Sequence, residues 1–225
     1  MVIQDIIDSA VIKEDRKVTS WQASKIGGCL SGVYLERLGV PRLEQIDARL
    51  RRVFQCGNLF EEYVVTQIEK ANIAKVETQL RVEDAVLDVT GYADIKLEYL
   101  DGSIEIAEVK SQNSRAFWYM IGDPKKGRAP QGAYEHHKMQ VLIYMHILGI
   151  ERGRLVYVSK DDLCIQEYEV TIQDEVLQKA LANIATLNNA WKTGVMPAPA
   201  EPGTFQAKYC GWHDYCTGKL PLPTL

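Results

Sequence analysis

The sequence predicts an α/β protein in which a mixed β-sheet is flanked by helices. Two observations support this fold class: the apolar pattern switches between helical and strand periods, and the segments follow the order helix, three strands, helix, two strands, helix. The 225 residues, 46% of them hydrophobic and 25% charged, describe one globular domain, or one domain with an appendage. A chain of this length can bury a full core.

Composition narrows the expected partners and compartment. The net charge of -4 comes from 26 basic and 30 acidic side chains, so a contact with nucleic acid requires local basic patches. The N-terminal residues mix acids with short apolar pairs, which is typical of neither a signal peptide nor a membrane helix. We therefore expect a cytoplasmic protein of a bacterial, archaeal or phage-infected cell. Five cysteines, an odd number, favour thiols or metal ligands over a disulfide framework.

The first half of the chain is expected to contain helices followed by three strands. Residues 18–56 are predicted to be helical with breaks at Gly27-Gly28 and Gly39-Val40-Pro41, and a further helix is predicted over 57–71. Alternation over 76–82 predicts the first strand, and two more are predicted over 86–99 and 104–111. Asp101-Gly102 joins the last two strands as a hairpin turn.

The second half is expected to hold a polar segment over 112–132, a helix over 133–148, strands over 154–159 and 164–170, and an amphipathic helix ending near Trp191. Prolines after Gly194 indicate an extended arm that ends in a short cysteine-bearing tail. These breaks divide the chain into a helical N-terminal lobe (1–56), a core (57–194), and an arm and tail (195–225) expected to pack back on the lobe.

Glu108, Val109 and Lys110 end the third predicted strand and are the most informative triplet of the chain. Residues two apart on a strand share a face, so Glu108 and Lys110 project together from a face that is apolar up to that point. Acids and a lysine held on adjacent strands suit a site that binds a divalent cation and cuts a phosphodiester. The alternative is a salt-bridged strand end, because this triplet is common.

Asp94 would lie level with this triplet across the hairpin. A two-residue turn at Asp101-Gly102 would place Asp94 opposite Val109, pointing away from Glu108. A shared site therefore requires a three-residue or bulged turn, or a distorted strand near Asp94. A regular two-residue hairpin would count against the site.

Two helices offer further polar side chains. The apolar arc of the helix over 57–71 is assigned to Leu59, Phe60, Tyr63, Val64 and Ile68, with Glu61 at its edge and Glu62 in solvent. Glu61 would form either a salt bridge or part of a site. On the helix over 133–148, His137, Gln140 and Tyr144 share one face, as a satisfied core network or as a binding site.

Taken in order, these segments resemble the PD-(D/E)XK nucleases of the RecB-like type. The matching pieces are Gly-x-x-x-Glu at 57–61, Gly-Tyr-Ala-Asp at 91–94, Glu-Val-Lys at 108–110 and Gln-x-x-x-Tyr at 140–144. Each piece is weak, but the ordered set is specific. The resemblance covers roughly residues 20–220, is close to the CRISPR-associated RecB-like exonucleases and their phage-encoded relatives, and implies the restriction-endonuclease-like fold.

Two positions depart from the family pattern. Glu61 stands where many RecB-like members have histidine, and Ala93 replaces the proline of the family name. Both changes leave the chemistry in place, because the aspartate and the Glu-x-Lys triplet carry it. A glutamate still binds a hard cation and favours Mg²⁺.

The resemblance implies a role for each site residue. The catalytic set comprises Asp94, Glu108, Lys110, Gln140 and Tyr144, and the ligands of Mg²⁺ or Mn²⁺ are Glu61, Asp94, Glu108 and the Val109 carbonyl. Lys110 would orient or activate the attacking water, and Gln140 and Tyr144 would position DNA or buttress the site. The expected DNA-binding lip comprises Arg115, Phe117, Trp118, Lys125, Lys126 and Arg128.

Three cysteines extend the resemblance to an iron-sulfur site. Cys29 matches an N-terminal cluster ligand, and Cys210 and Cys216 match the last two ligands of a C-terminal triplet whose first position is Ala207. Because a complete cluster normally has four thiolates, either another ligand such as His213 substitutes, or the thiols remain without a cluster. In the second case the aromatic residues of the tail would hold it in place.

We therefore expect a metal-dependent DNA exonuclease that acts on single strands or free ends, in phage recombination or CRISPR-type DNA processing. The alternatives are a structure-specific endonuclease with the same site and a non-catalytic subunit that binds DNA ends. The expected partners are DNA and either a second copy of the chain or a recombination or CRISPR protein, and no membrane.

Overall fold

The computed structural model describes residues 2–11, 17–123, 126–172 and 175–223. The helices are α1 (Ile3–Ala10), α2 (Leu30–Leu38), α3 (Ala48–Ala71), α4 (Ser114–Ile121), α5 (Glu135–Leu148), α6 (Glu175–Thr193), α7 (Phe205–Lys208) and α8 (His213–Cys216), with a 3₁₀ helix at Ala23–Lys25. The strands are β1 (Trp21–Gln22), β2 (Ala74–Asp84), β3 (Val89–Tyr99), β4 (Ile104–Gln112), β5 (Arg152–Ser159) and β6 (Ile165–Thr171).

The strands form one mixed sheet. One edge of β3 is paired with antiparallel β2, and the other edge is shared by parallel β1 and antiparallel β4. β4 pairs parallel with β5, and β5 pairs antiparallel with β6. The crossover from β4 to β5 runs through α4 and α5, as a parallel connection requires. The predicted fold class, a mixed sheet flanked by helices, is confirmed.

Helices cover both faces of the sheet and enclose two apolar clusters. The larger cluster lies between the sheet, α5, α6 and α2, and includes Trp21, Ile106 and Leu142. The smaller one lies between the sheet and α3, and includes Val64, Ile95 and Val109. The central strand β4 is therefore buried from Glu105 to Val109, so polar side chains there are desolvated.

Helix α3 begins earlier than the sequence pattern predicts. The Asp47 carboxylate accepts a hydrogen bond of 2.6 Å from the Leu50 amide and caps the helix, whose first residue, Ala48, lies nine residues before Gly57. The proposed domain boundary at residues 56 and 57 therefore falls inside α3. Its apolar arc is also rotated from the expected one, because Leu59 is 63% exposed and Tyr63 is exposed as well.

Helix α4 lies where the sequence pattern predicts a polar loop, and that prediction is wrong for residues 114–121. Asn113 caps the helix through a 2.9 Å bond from the Ala116 amide, and Phe117 and Met120 are buried one turn apart. A short aromatic run with one buried stripe gives little helical signal by itself. Phe117 belongs to the core and is not part of a DNA-binding lip.

The C-terminal tail contacts the segment after α2. The Trp212 indole donates to the Val40 carbonyl at 2.7 Å, and the Leu43 amide donates to the Gly211 carbonyl at 3.0 Å. Trp212 is buried, and the exposed Phe205 ring stacks on the His136 ring with the two ring centres 5.4 Å apart, so both aromatic rings help to hold the tail in place. No helix within the described ranges is both long and apolar enough to cross a membrane.

Candidate active site

The β3–β4 hairpin has the turn that a shared site requires. Glu98 pairs with Ile104, and the Tyr99 amide donates to the Ser103 carbonyl at 2.9 Å, which leaves Leu100, Asp101 and Gly102 as a three-residue turn. Gly102 has φ +80°, a conformation that glycine adopts without strain. The predicted three-residue turn is confirmed, and its register places Asp94 opposite Glu108.

Strand β3 is also distorted at Asp94. Ala93 packs in the cluster beneath α5, whereas Ile95 and Leu97 pack in the cluster beneath α3, so the strand changes the face it presents between these residues. The β3–β4 pairing ends at Ile95 and Ala107. Beyond this point the Asp94 carboxylate takes the place of a backbone partner and accepts a 2.8 Å hydrogen bond from the Val109 amide. The distortion aims the carboxylate at the end of β4.

Gln79, on β2 opposite Asp94, marks the same distortion and was not identified from the sequence. It has φ +51° and interrupts the β2–β3 pairing between Thr78 and Leu80. Its amide donates to Glu61 at 2.6 Å and reaches Asp94 at 3.5 Å. A left-handed conformation at glutamine leaves no trace in the apolar periodicity, so sequence reasoning had no signal for it.

Glu108 is the centre of a buried hydrogen-bond network. Its Oε1 accepts from the Lys110 ammonium at 2.7 Å and from the Gln140 amide at 2.6 Å. Gln140 in turn accepts from Lys110 at 3.1 Å and donates to the Tyr144 hydroxyl at 3.1 Å. The structure thus brings together the four residues that the motifs singled out on β4 and α5.

Two carboxylates of this group are held at an electrostatic cost. Asp94 is 9% exposed, and burial, followed by the nearby charge of Glu108, raises its pKa to about 8. Burial is also the main cause that raises the pKa of Glu61, and the charge of Glu108 adds to it. Buried carboxyl groups that lie close together favour a bound cation, because its positive charge would offset both the cost of burying them and their mutual repulsion.

The donor set fits a hard divalent cation. The second oxygen of Glu108 is buried and has no hydrogen-bond partner within the described part of the chain. Glu61, Asp94 and Glu108 all offer carboxylate oxygens, which Mg²⁺ and Mn²⁺ prefer. These oxygens do not all lie within 4.8 Å of one another, and the Gln79 amide lies between Glu61 and Asp94.

His137 and Glu62 lie outside this network. His137 shares a 2.8 Å hydrogen bond with the Tyr157 hydroxyl, and burial, followed by the neighbouring His136, lowers its pKa to about 2. It is a neutral core residue. Glu62 is exposed, as its place on the helix predicts.

The cysteine residues form a separate cluster. The sulfur atoms of Cys29, Cys210 and Cys216 all lie within 4.8 Å of one another, and Gly32 faces them: a Cβ there would lie 2.8 Å from the Cys210 sulfur. Hydrogen bonds from Cys210 and then Cys216 lower the pKa of the Cys29 thiol. His213 is not among the groups gathered at this point.

The two other cysteines do not join this cluster. Cys164 is half-buried, and Cys56 is exposed on α3.

Apart from Phe117, which belongs to the core, the residues expected in the DNA-binding lip divide into three groups. Arg115 and Arg128 line one cavity beside α4. Trp118 instead donates to Asp162 at 3.0 Å, and Lys126 is exposed and pairs with Asp123. Lys125 lies outside the described residues.

Comparisons with known proteins agree with this geometry. No family model matches the sequence. The CRISPR-associated exonuclease Cas4 of Saccharolobus solfataricus is 28% identical over 148 residues, which are 65% of this chain and 61% of that protein. The chain thus matches less than two thirds of the length of this relative.

Two solved structures share the fold. The structure of SSO0001 matches with a TM-score of 0.59 at 20% identity and covers 97% of both chains. The alkaline exonuclease LHK-Exo of Laribacter hongkongensis matches with a TM-score of 0.55 at 13% identity, over 80% of this chain and 89% of that one. The resemblance to PD-(D/E)XK nucleases and the restriction-endonuclease-like fold are thereby confirmed.

Proposed function

We propose that this protein is a metal-dependent deoxyribonuclease that hydrolyses phosphodiester bonds from single-stranded or free DNA ends. The observation that carries the proposal is the register of the β3–β4 hairpin, which places Asp94 opposite Glu108 in a buried site that also holds Lys110 and Gln140. The relatives named as exonucleases add support, since one of them is similar in sequence and another in fold.

The proposed metal ligands are Glu61, Asp94, Glu108 and the Val109 carbonyl. A bound Mg²⁺ or Mn²⁺ would neutralise phosphate charge and make a bound water more acidic. The partnerless oxygen of Glu108 and the raised pKa of Asp94 are the features of this chain that favour such an ion.

Lys110 is the residue proposed to act on the water and on the developing charge. Its ammonium is held between Glu108 and the Gln140 amide oxygen, which fixes its position without removing its charge. Gln140 is fixed in turn by Tyr144. We therefore assign Lys110 to orienting the attacking water and stabilising the phosphorane-like charge, and Gln140 and Tyr144 to positioning Lys110 and Glu108.

The direct test is degradation of DNA labelled at either end, with Mg²⁺, Mn²⁺ or a chelator. We expect cleavage with either ion, none with chelator, and loss of activity in Glu108→Ala and Lys110→Ala. Glu62→Ala is the matched control, because this exposed acid lies beside Glu61 but points into solvent. Absence of cleavage by the wild-type protein with every ion would overturn the proposal.

The same assay separates the other candidate activities. Cutting of a covalently closed single-stranded circle would assign the site to an endonuclease. DNA-end binding that persists in Glu108→Ala, with no cleavage by any form of the protein, would assign the chain to a non-catalytic subunit. In either pathway considered, phage recombination or CRISPR-type processing, the protein would act on DNA together with a second copy or a pathway protein.

We further propose that Cys29, Cys210 and Cys216 are the protein ligands of an iron-sulfur cluster. The sulfur atoms of these three cysteines lie within 4.8 Å of one another, which suits a thiophilic metal. Ala207 takes the fourth expected position, and His213 does not join the group. Iron content and visible absorption of anaerobically purified protein test this assignment, and protein without iron would overturn it.

A further inference from the structure

A cavity of about 550 Å³ beside α4 is distinct from the carboxylate site. It is lined by Asn113, Arg115, Ala116, Tyr119, Arg128 and Tyr134. None of these residues takes part in the hydrogen-bond network around Glu108. The proposed catalytic network therefore does not account for this cavity or for its lining residues.

The cavity lies close to the proposed catalytic residues. Asn113 follows Lys110 by three residues, a distance of about 10 Å along an extended strand. Tyr134 precedes Gln140 by six residues, about 9 Å along a helix axis. Lys110 and Tyr157 are paired across β4 and β5, and the Tyr157 hydroxyl accepts from the Tyr134 amide at 3.2 Å. A DNA strand at Lys110 would thus reach the cavity within one or two nucleotides.

The lining residues have the chemistry of a nucleotide site. Neither Arg115 nor Arg128 forms an ion pair within the described ranges, so the positive charge of each is available to a phosphate. The Arg128 guanidinium lies 5.6 Å from the centre of the Tyr119 ring, which is 53% exposed. Tyr134 is half-buried and lines the same cavity as Tyr119.

Backbone hydrogen bonds hold Arg128 close to the end of α4. The amides of Asp123 and Arg128 each donate to the other residue's carbonyl at 2.9 Å, and the Gln131 amide donates to Met120 at 2.8 Å. Gly122 has φ +82°, and a Cβ there would lie 2.7 Å from the Arg128 carbonyl oxygen. This close return of the chain onto α4 fixes Arg128 beside Tyr119.

We propose that this cavity receives one unpaired nucleotide of the substrate strand, next to the bond that is cut. The inference rests on the proposed function and makes it more specific, because it selects single-stranded DNA. Arg115 and Arg128 contact the phosphate, and the Tyr119 ring stacks on the base. An unpaired base can be turned out of its strand and stacked on an aromatic ring, whereas a paired base is held within its duplex.

The test is binding of a fluorescein-labelled oligothymidylate and of a blunt hairpin duplex, measured by anisotropy in EDTA so that nothing is cut. We expect the wild-type protein to bind the single strand more tightly. Tyr119→Leu is expected to weaken single-strand binding about tenfold, because a stacking partner is lost, whereas Tyr119→Phe keeps the ring and binds like wild type. Tyr119 is exposed, so neither variant should unfold the protein.

The arginine variants test the phosphate contact. Arg115→Ala and Arg128→Ala are each expected to weaken binding about tenfold. Each variant should also release about one counterion fewer on binding, so that its affinity depends less steeply on salt concentration. Arg152→Ala is the control, because Arg152 is exposed at the start of β5, at the end of the strand away from Lys110. Unchanged single-strand binding in Tyr119→Leu and both arginine variants, or equal losses for the duplex, would overturn the proposal.

These outcomes are separate from those of the nuclease assay. If the wild-type protein cuts no DNA with Mg²⁺ or Mn²⁺, but single-strand binding still depends on Tyr119 and the arginines, the proposed activity fails and the nucleotide cavity stands. If cleavage occurs and binding is indifferent to all three residues, the cavity assignment fails and the activity stands.

Discussion

The hydroxyl of Tyr144 fills the space in which a side chain at position 91 would lie. A Cβ on Gly91 would lie 2.5 Å from the Tyr144 oxygen and 2.7 Å from its ring, closer than real contacts allow. This contact explains the glycine of the Gly-Tyr-Ala-Asp motif, because it lets the phenol reach Gln140 from beneath β3. Two motifs that are distant in sequence therefore depend on one another sterically.

We expect Gly91→Ala to displace Tyr144 and so to loosen Gln140 and Lys110. Nuclease activity should fall by about tenfold to one hundredfold, because a misplacement of about 1 Å in supporting residues has effects of this size. Gly57→Ala is the control: its Cβ would lie an ordinary 3.7 Å from Ser111, and alanine favours the helix. Equal activity of both variants would show that the Tyr144 contact does not position the site.

The raised pKa of Asp94 predicts how stability depends on pH. Between the ordinary carboxyl value and about 8, the folded protein keeps a proton on Asp94 that the unfolded chain has released. The free energy of unfolding of the metal-free protein should therefore fall as the pH rises through this window. Thermal unfolding in chelator should show a midpoint several degrees lower near pH 8 than near pH 5.

Asp94→Asn removes this titration and should flatten that pH dependence. Glu62→Gln, which changes an exposed acid on α3, should leave it as in wild type. Adding Mn²⁺ near pH 8 should restore stability to the wild-type protein and have little effect on Asp94→Asn. A pH dependence that survives in Asp94→Asn would assign it to another group.

The sequence predicted the parts of the site that depend on periodicity and register. Counting residues through the hairpin showed that a two-residue turn would separate Asp94 from Glu108, and the structure has three turn residues. It could not predict Gln79, whose left-handed backbone is imposed by the distortion of two paired strands. Tertiary strain of this kind carries no local signal.

The nucleotide cavity was only partly foreseen for a similar reason. The sequence singles out Arg115 and Arg128 by charge, but it does not predict helix α4, on which Arg115 lies. Tyr119 on α4 and Tyr134, which precedes α5, are 15 positions apart in the chain and line one cavity only in the folded protein. The prediction for Phe117 is wrong in the opposite way, because this ring is buried in the core and was assigned to the DNA-binding surface.

Gln79 offers a test of backbone strain at the site. Gln79→Gly should relieve the cost of the left-handed conformation, whereas Gln79→Ala keeps that cost, and both lose the hydrogen bond to Glu61. We expect the glycine variant to be more stable than the alanine variant by about 1 kcal/mol. Urea unfolding in chelator measures the difference, and a less stable glycine variant would contradict the strain.

Gly32 lies against the thiol cluster formed by Cys29, Cys210 and Cys216. A Cβ at Gly32 would lie 2.8 Å from the Cys210 sulfur, so Gly32→Ala should push this thiol away from Cys29 and Cys216. Iron bound to anaerobically purified protein should fall to about a tenth, because thiolate ligation tolerates only small errors in distance.

Ala207→Cys should have the opposite effect, because it would supply a fourth thiolate. The visible absorption of this variant should last longer in air than that of the wild-type protein. Cys164→Ser, outside the cluster, should leave the iron content unchanged. Full iron content in Gly32→Ala would show that these three sulfur atoms do not bind the metal jointly.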